Sequence, residues 1–198
     1  AQRRFHLDEI HFIPSGRPPH KHHHALAPYT HRYTMVALAC AGHDHWIPAL
    51  AEAGPEGTGR AVFYSIETLR HYKREFHSCG EHLYFLLGAD AFLQLPTWKD
   101  YEALLDACDF IVASRPGFRM EPLRLVIPPE LLGRPPAKEE HADPHTIYLR
   151  RTRVHLLDTV SSEVSATEIR RRLDRRQSIH GLVPAPVEEY IGKQALYR

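Results

Sequence analysis

The residues best equipped for chemistry form a short run near the end of the chain, Ser165-Ala166-Thr167-Glu168-Ile169-Arg170. A serine followed three residues later by a glutamate is the capping-box pattern, so this run predicts a helix start. A helix start offers unpaired backbone N–H groups and the positive end of a dipole, worth about 0.3–1 kcal/mol to an anion. Two hydroxyls and the Arg170 guanidinium, one turn in, would complete a site for a polyphosphate. The same residues would serve equally well as a capped surface helix without a ligand. Between Arg150 and Arg176 eight arginines stand against four acids, a charge excess that suits an anionic small molecule or a solvated helix face.

Four other places carry candidate groups. Gly88-Ala89-Asp90 follows the apolar run Leu83 to Leu87. A small residue at a strand's carboxyl end lets a ligand approach the backbone, and the carboxylate can accept hydrogen bonds from ribose hydroxyls. The alternative is a plain strand-to-helix turn with an aspartate cap. Trp98, after Pro96-Thr97, is either a core aromatic or a face for a planar ring, a stacking worth about 0.5–1.5 kcal/mol beyond burial. Tyr64-Ser65 shares that ambiguity, since a hydroxyl and free N–H groups at a helix start can hold a carboxylate. Arg115-Pro116-Gly117 turns away from another apolar run, with Arg115 free to flank a nucleotide. The cluster His20 to His24 invites a metal reading, but adjacent histidines lack the spacing that aims several imidazoles at one ion. It reads instead as a basic loop near a phosphate.

The elements that must position these groups follow from apolar runs and breakers. Ala1 to Leu7 reads as the tail of a helix running into a strand at Ile10 to Pro14. Met35, Leu38 and Ala39 lie at helical spacing within His31 to Ala41. Gly54 to Gly59 is a loop by composition. Ser65 reads as the N-cap of a helix to about His77, with Ile66, Leu69, Tyr72 and Phe76 on one face. Leu83–Leu87 and Phe110–Ala113 are continuous apolar runs, the pattern of strands buried on both faces. A helix is predicted from Trp98 to about Cys108, wandering surface chain over 117–145, and a last strand at Val154 to Leu157. Ser165–Arg176 and Pro186–Tyr197 close the chain as helices. Buried strands alternating with helices predict an α/β fold with a mostly parallel sheet covered on both faces. Ligands then bind beyond the carboxyl ends of the strands, at the loops 14–21, 88–90, 114–117 and 157–165.

Bulk properties narrow the class. At 198 residues, with 43% hydrophobic and 25% charged residues, the chain suits a single α/β domain with an ample core. A net charge of +1 argues against a dedicated nucleic-acid binder. Cys40, Cys79 and Cys108 are scattered and odd in number, which reads as reduced thiols in a cytoplasmic protein. No apolar run approaches the length of a membrane span.

Taken in order, these pieces resemble the bacterial nicotinate-nucleotide adenylyltransferase family. The matching text is FIPSGRPPHK at 12–21, HRYTM at 31–35, YSIETL at 64–69, LLGAD at 86–90, PTW at 96–98, FIVASRPG at 110–117, VSATEIRRRL at 164–173 and LVPAPVEEYIGKQALYR at 182–198. Each piece is weak alone, whereas eight in family order, spread from Ala1 to Arg198, are specific. The resemblance implies a Rossmann-like nucleotidyltransferase fold over residues 1–198 as one domain, with 182–198 as its closing segment. It implies condensation of nicotinate mononucleotide with ATP, accompanied by Mg²⁺, to nicotinate adenine dinucleotide and pyrophosphate. Ser165, Thr167 and Arg170 would hold the ATP phosphates and carry the catalysis. Gly88 and Asp90 would hold the adenosine ribose, and Arg115 would border the adenine. Trp98 would stack on the nicotinate ring, Tyr64 and Ser65 would meet its carboxylate, and His20 and Lys21 would border the mononucleotide. No protein metal ligand, nucleic acid or membrane is implied.

One departure stands out. The family begins with a strand and the loop GGTFDPxHxGH, and neither is found here. The reading therefore expects about 20–25 further residues ahead of Ala1, enough for one buried strand, a glycine-rich turn and the start of a helix. Without them two central strands would have unpaired edges. The nearest alternative function is a sister adenylyltransferase using the amidated mononucleotide or another phosphate acceptor. His43-Asp44 with the histidine cluster raises a metal-dependent phosphohydrolase, and the arginines of 150–176 a nucleic-acid-binding module. Both leave the remaining matches unexplained.

Overall fold

The structure, a computed structural model, describes residues 1–16, 26–55, 57–58, 61–76, 82–135, 143–158 and 164–197. His20, Lys21 and the rest of the histidine cluster lie outside the described residues, as do Cys79, the expected helix end at His77 and parts of the loops 54–59 and 157–165. The chain forms two compact units, Ala1–Phe63 with Glu163–Arg198, and Tyr64–Ser162.

In the first unit α1 (Gln2–Phe5) leads into β1 (Ile10–Phe12), α2 (Tyr29–Cys40) and β2 (Trp46–Pro48), and the chain returns as α7 (Ala166–Asp174) and α8 (Ala185–Lys193). β1 and β2 pair in parallel, Ile10 opposite Trp46 and Phe12 opposite Pro48. The apolar residues expected on one side of α2 do bury together: Met35, Leu38 and Ala39 pack against a cluster of Ile179, Val187 and Ile191, joined by Ile169 and Leu173 of α7. His31 of α2 and the Tyr190 hydroxyl of α8 add a hydrogen bond of 2.8 Å across that packing.

The second unit holds α3 (Ser65–Glu75), β3 (Tyr84–Gly88), α4 (Ala89–Leu93), α5 (Tyr101–Leu105), β4 (Asp109–Ala113), α6 (Glu121–Leu125), β5 (Thr146–Tyr148) and β6 (Arg153–Leu157). Its sheet runs β3-β4-β6-β5, with β3, β4 and β6 parallel and β5 antiparallel to β6. The core gathers Phe92, Leu104, Leu105, Phe110, Val112, Leu123, Ile147, Val154 and Leu156 with Ile66 and Leu69 of α3. Thr152 closes one corner by donating from its hydroxyl to the Leu105 carbonyl at 2.6 Å.

Several sequence expectations need correction. β4 is buried from Asp109 to Val112, but β3 leaves Leu86 45% exposed. Phe85 and Leu87 pack on the core, whereas on the other face Tyr84 is part-buried against His82 and His155 and Leu86 is exposed. Among the described residues β1 and β3 each have one hydrogen-bonded strand neighbour. Tyr64, not Ser65, is the N-cap of α3, and Ser65 is its first helical residue. The helix expected from Trp98 begins only at Tyr101, because Trp98 is extended and Asp100 is left-handed at φ 50°. Within 117–145 the chain is not wholly irregular. α6 buries Leu123 completely, and a single 3-10 turn spans Pro129–Leu131. Prolines that read as breakers sit in the first turn of these helices, where a missing N–H costs nothing. β5 was not anticipated, being three residues long.

A polar network lies at the amino end of β4. The buried carboxylate of Asp109 accepts from His82 Nε2 at 2.9 Å and from the Arg153 N–H at 2.7 Å, with His155 Nε2 at 3.9 Å. Burial pushes this carboxyl up, yet the hydrogen bonds from His155, His82 and the backbone outweigh it and hold the group below its ordinary value. Cys108 beside it is buried, and that burial pushes its thiol up to about 12, so it behaves as a packing residue.

Candidate functional site

α7 starts where the capping pattern places it. Ser165 is the N-cap, and its hydroxyl accepts from the Glu168 N–H at 3.1 Å. The reciprocal half of the box is not formed, because the Glu168 carboxylate is engaged by Arg171 Nε at 2.8 Å and Arg172 Nε at 2.9 Å. These two guanidiniums hold the Glu168 carboxyl below its ordinary range. The result sorts the three successive arginines. Arg171 and Arg172 are neutralised on the helix, whereas Arg170 makes no hydrogen bond or ion pair among the described residues and stands near the half-buried Tyr197. Thr167 is exposed in the first turn. Ser165, Thr167 and Arg170 thus present a hydroxyl, free first-turn N–H groups and one uncommitted cation on a single helix.

The strand ends of the second unit carry the next set. Gly88 and Ala113 are Cα partners across β3 and β4, and Ala113 pairs in turn with Leu157 of β6. Gly88, Asp90 and Arg115 therefore gather at the carboxyl end of the same parallel sheet. Gly88 is the N-cap of α4, and Asp90 makes no cap hydrogen bond, so the aspartate-cap alternative is not what this turn does. A Cβ built on Gly88 meets nothing within 4 Å, and its φ of −76° is open to any residue. Neither packing nor backbone geometry calls for glycine there, which leaves room for a ligand against the backbone. Arg115 is exposed after the buried Ser114, and its carbonyl accepts from the Phe118 N–H in the turn that Gly117 makes at φ 82°.

Trp98 and Tyr64 are both half-buried against the core of this unit. Trp98 and Phe85 stand nearly perpendicular, with ring centroids 6.4 Å apart. Tyr64 lies under the ammonium of Lys99, 4.3 Å from the ring centroid, and Lys99 in turn binds Glu67 of α3 at 2.7 Å. The Lys99 contacts join the Trp98 segment to the first turn of α3, where the Ser65 N–H has no hydrogen-bond partner among the described residues. Lys99 and Glu67 escaped the sequence reading, since 32 residues separate them and no local pattern links them.

Arg32 escaped it as well, although it stands inside the quoted HRYTM. Its guanidinium donates to the carbonyls of Ser15, Gly16 at 2.9 Å and Ala27 at 3.0 Å. Glu52 takes the Gly16 N–H at 2.9 Å, and a Cβ at Gly16 would stand 2.8 Å from the Glu52 carbonyl oxygen and from the Phe63 ring. The turn after β1 is therefore held from two sides, immediately ahead in sequence of His20 and Lys21. Among the described residues no group of three or more His, Cys, Asp or Glu side chains is placed to hold a metal ion. No helix among them is long and apolar enough to cross a membrane.

An anion-ready helix start in the first unit and, in the second, a parallel sheet with polar groups at its carboxyl end are each features of nucleotide-binding α/β proteins. The cytidylyltransferase-like family matches residues 1–172, and the chain belongs to that family. Within it the chain is 35% identical over 198 residues to a protein of Moorella thermoacetica described as "Probable nicotinate-nucleotide adenylyltransferase", covering 100% of this chain and 82% of the relative. A Geobacter metallireducens protein of the same description is 34% identical over 193 residues, covering 98% of this chain and 86% of its own length. Among solved structures, a Plasmodium falciparum nicotinic acid mononucleotide adenylyltransferase complexed with NaAD superposes with a TM-score of 0.66 at 18% identity. That match covers 96% of this chain and 83% of the other, and it shows the same Rossmann-like nucleotidyltransferase fold.

Proposed function

We propose that this chain transfers the adenylyl group of ATP to nicotinate mononucleotide, giving nicotinate adenine dinucleotide and pyrophosphate in pyridine nucleotide biosynthesis. The observation that carries this reading is 35% identity over the full 198 residues to a relative of that description. A phosphate oxygen of the mononucleotide attacks the α-phosphorus of ATP. The new P–O bond forms as the bond to the β-phosphate bridging oxygen breaks, and the electron pair leaves with pyrophosphate. No protein nucleophile is required, so the protein's share is positioning and charge stabilisation. Ser165, Thr167 and Arg170 serve the phosphates, Gly88 and Asp90 the ribose, and Arg115 the adenine edge. Trp98 stacks on the pyridine ring, Tyr64 and Ser65 receive its carboxylate, and His20 and Lys21 border the mononucleotide. Mg²⁺ enters as MgATP, part of the substrate, and the reaction belongs to the cytoplasm.

The test is to incubate the protein with MgATP and either mononucleotide, acid or amide, and to separate the products chromatographically. The reading expects the acid dinucleotide with equimolar pyrophosphate. Phosphate release without dinucleotide would point to a phosphohydrolase, and preference for the amide to the sister activity; either result overturns it.

A further inference from the structure

We propose that Lys99 sets a preference for a negatively charged substituent on the pyridine ring over a neutral one. The proposal rests on the reading that Trp98 and Tyr64 face that ring. Lys99 is the residue after Trp98, and its side chain crosses to α3, with the ammonium 4.3 Å from the Tyr64 ring centroid. Glu67 Oε1 holds it at 2.7 Å, and both side chains stay partly exposed, at 42% for Lys99 and 45% for Glu67. An ammonium carries three donors and no acceptor. One donor goes to Glu67, which leaves others beside the Tyr64 ring.

The chemistry separates acid from amide. A carboxylate gains a charge-assisted hydrogen bond and a Coulomb attraction, whereas a carboxamide offers only a dipole. Backbone N–H groups at the start of α3 would donate to either substituent, so they discriminate less than a full charge does. Glu67 fixes where the ammonium stands and raises its affinity for the proton, so the charge is present throughout the neutral range.

The competing role is mechanical. In that role Lys99 only tethers the Trp98 segment to α3, and its loss would weaken acid and amide alike. Two substitutions separate these roles: Lys99→Gln removes the charge, while Glu67→Gln breaks the ion pair and keeps it. Both positions are partly exposed, so the fold should tolerate the changes.

Titration calorimetry of the intact protein with nicotinate mononucleotide and with nicotinamide mononucleotide reads the outcome. Lys99→Gln should weaken the acid about 5–10-fold, the scale of one partly solvated charge pair, and leave the amide unchanged. Lys99→Arg should keep the acid preference, and Glu67→Gln should keep or raise it. Equal weakening of both ligands in Lys99→Gln and Glu67→Gln would make Lys99 a tether only and overturn the assignment, as would an unchanged acid-to-amide ratio in Lys99→Gln. Wild-type protein that binds neither mononucleotide would instead sink the underlying ring-site reading, and the Lys99 proposal with it.

Discussion

The Ser165 hydroxyl accepts from the Glu168 N–H at 3.1 Å, while the Glu168 carboxylate turns away to pair with Arg171 and Arg172. That division of labour leaves Arg170 as the uncommitted cation of α7. Arg170→Ala should lower turnover by on the order of 10²–10³-fold, the scale for losing one preorganised charge-stabilising donor. Arg171→Ala removes only an exposed, solvent-screened pair with Glu168 and should be mild. Steady-state dinucleotide formation checks both. Equal damage from the two variants would refute this assignment of the helix face.

Trp98→Ala should raise the Michaelis constant for the mononucleotide far more than that for ATP, because an indole offers a face to a pyridine ring and nothing to a triphosphate. Its packing against the core and its edge contact with Phe85 predict some loss of stability too, so a thermal melt belongs beside the kinetics. An unchanged mononucleotide constant in a folded variant would return Trp98 to the core.

Gly88→Ala separates packing from ligand approach. An added methyl meets nothing within 4 Å and the φ of −76° suits alanine, so the entropy gained by removing a glycine offsets the poorer alanine N-cap and stability should be about unchanged. The Michaelis constant for ATP should nevertheless rise, as the methyl occupies the space left for the ribose. A variant that binds ATP normally would show that the space is idle.

The Asp109 network predicts an acid-sensitive contribution to stability. The folded carboxyl sits below its ordinary value, so its stabilisation is complete above the unfolded pKa of about 3.9. It fades as pH falls through that value toward the lower folded one. Asp109→Asn should cost about 1–3 kcal/mol at neutral pH and flatten the acid limb of the stability curve. Urea unfolding of both proteins from neutral to acidic pH measures this. Parallel acid limbs would place the sensitivity elsewhere.

What the sequence alone determined was local. The start of α7 was legible because the hydrogen bond that makes it, Ser165 to Glu168, spans three residues. β4 and β6, the apolar side of α2 and the buried residues Ile66 and Leu69 of α3 were legible because burial leaves a periodic record along the chain. The candidate residues Gly88, Asp90, Trp98 and Arg115 could be named because each stands at or beside an element end marked by its neighbours and by resemblance, and Arg170 because it lies one turn inside a legible helix start. Only the tertiary structure decided that Leu86 is exposed, since an apolar run cannot say which face of a strand is covered. It alone broke the expected helix at Trp98 and carried Lys99 to Tyr64 and Glu67, a contact formed across more than thirty residues. The Asp109 carboxylate likewise meets the His82 ring 27 residues away and the Arg153 backbone N–H 44 residues away. Such contacts depend on strand order and loop closure, which nearest-neighbour preferences do not encode.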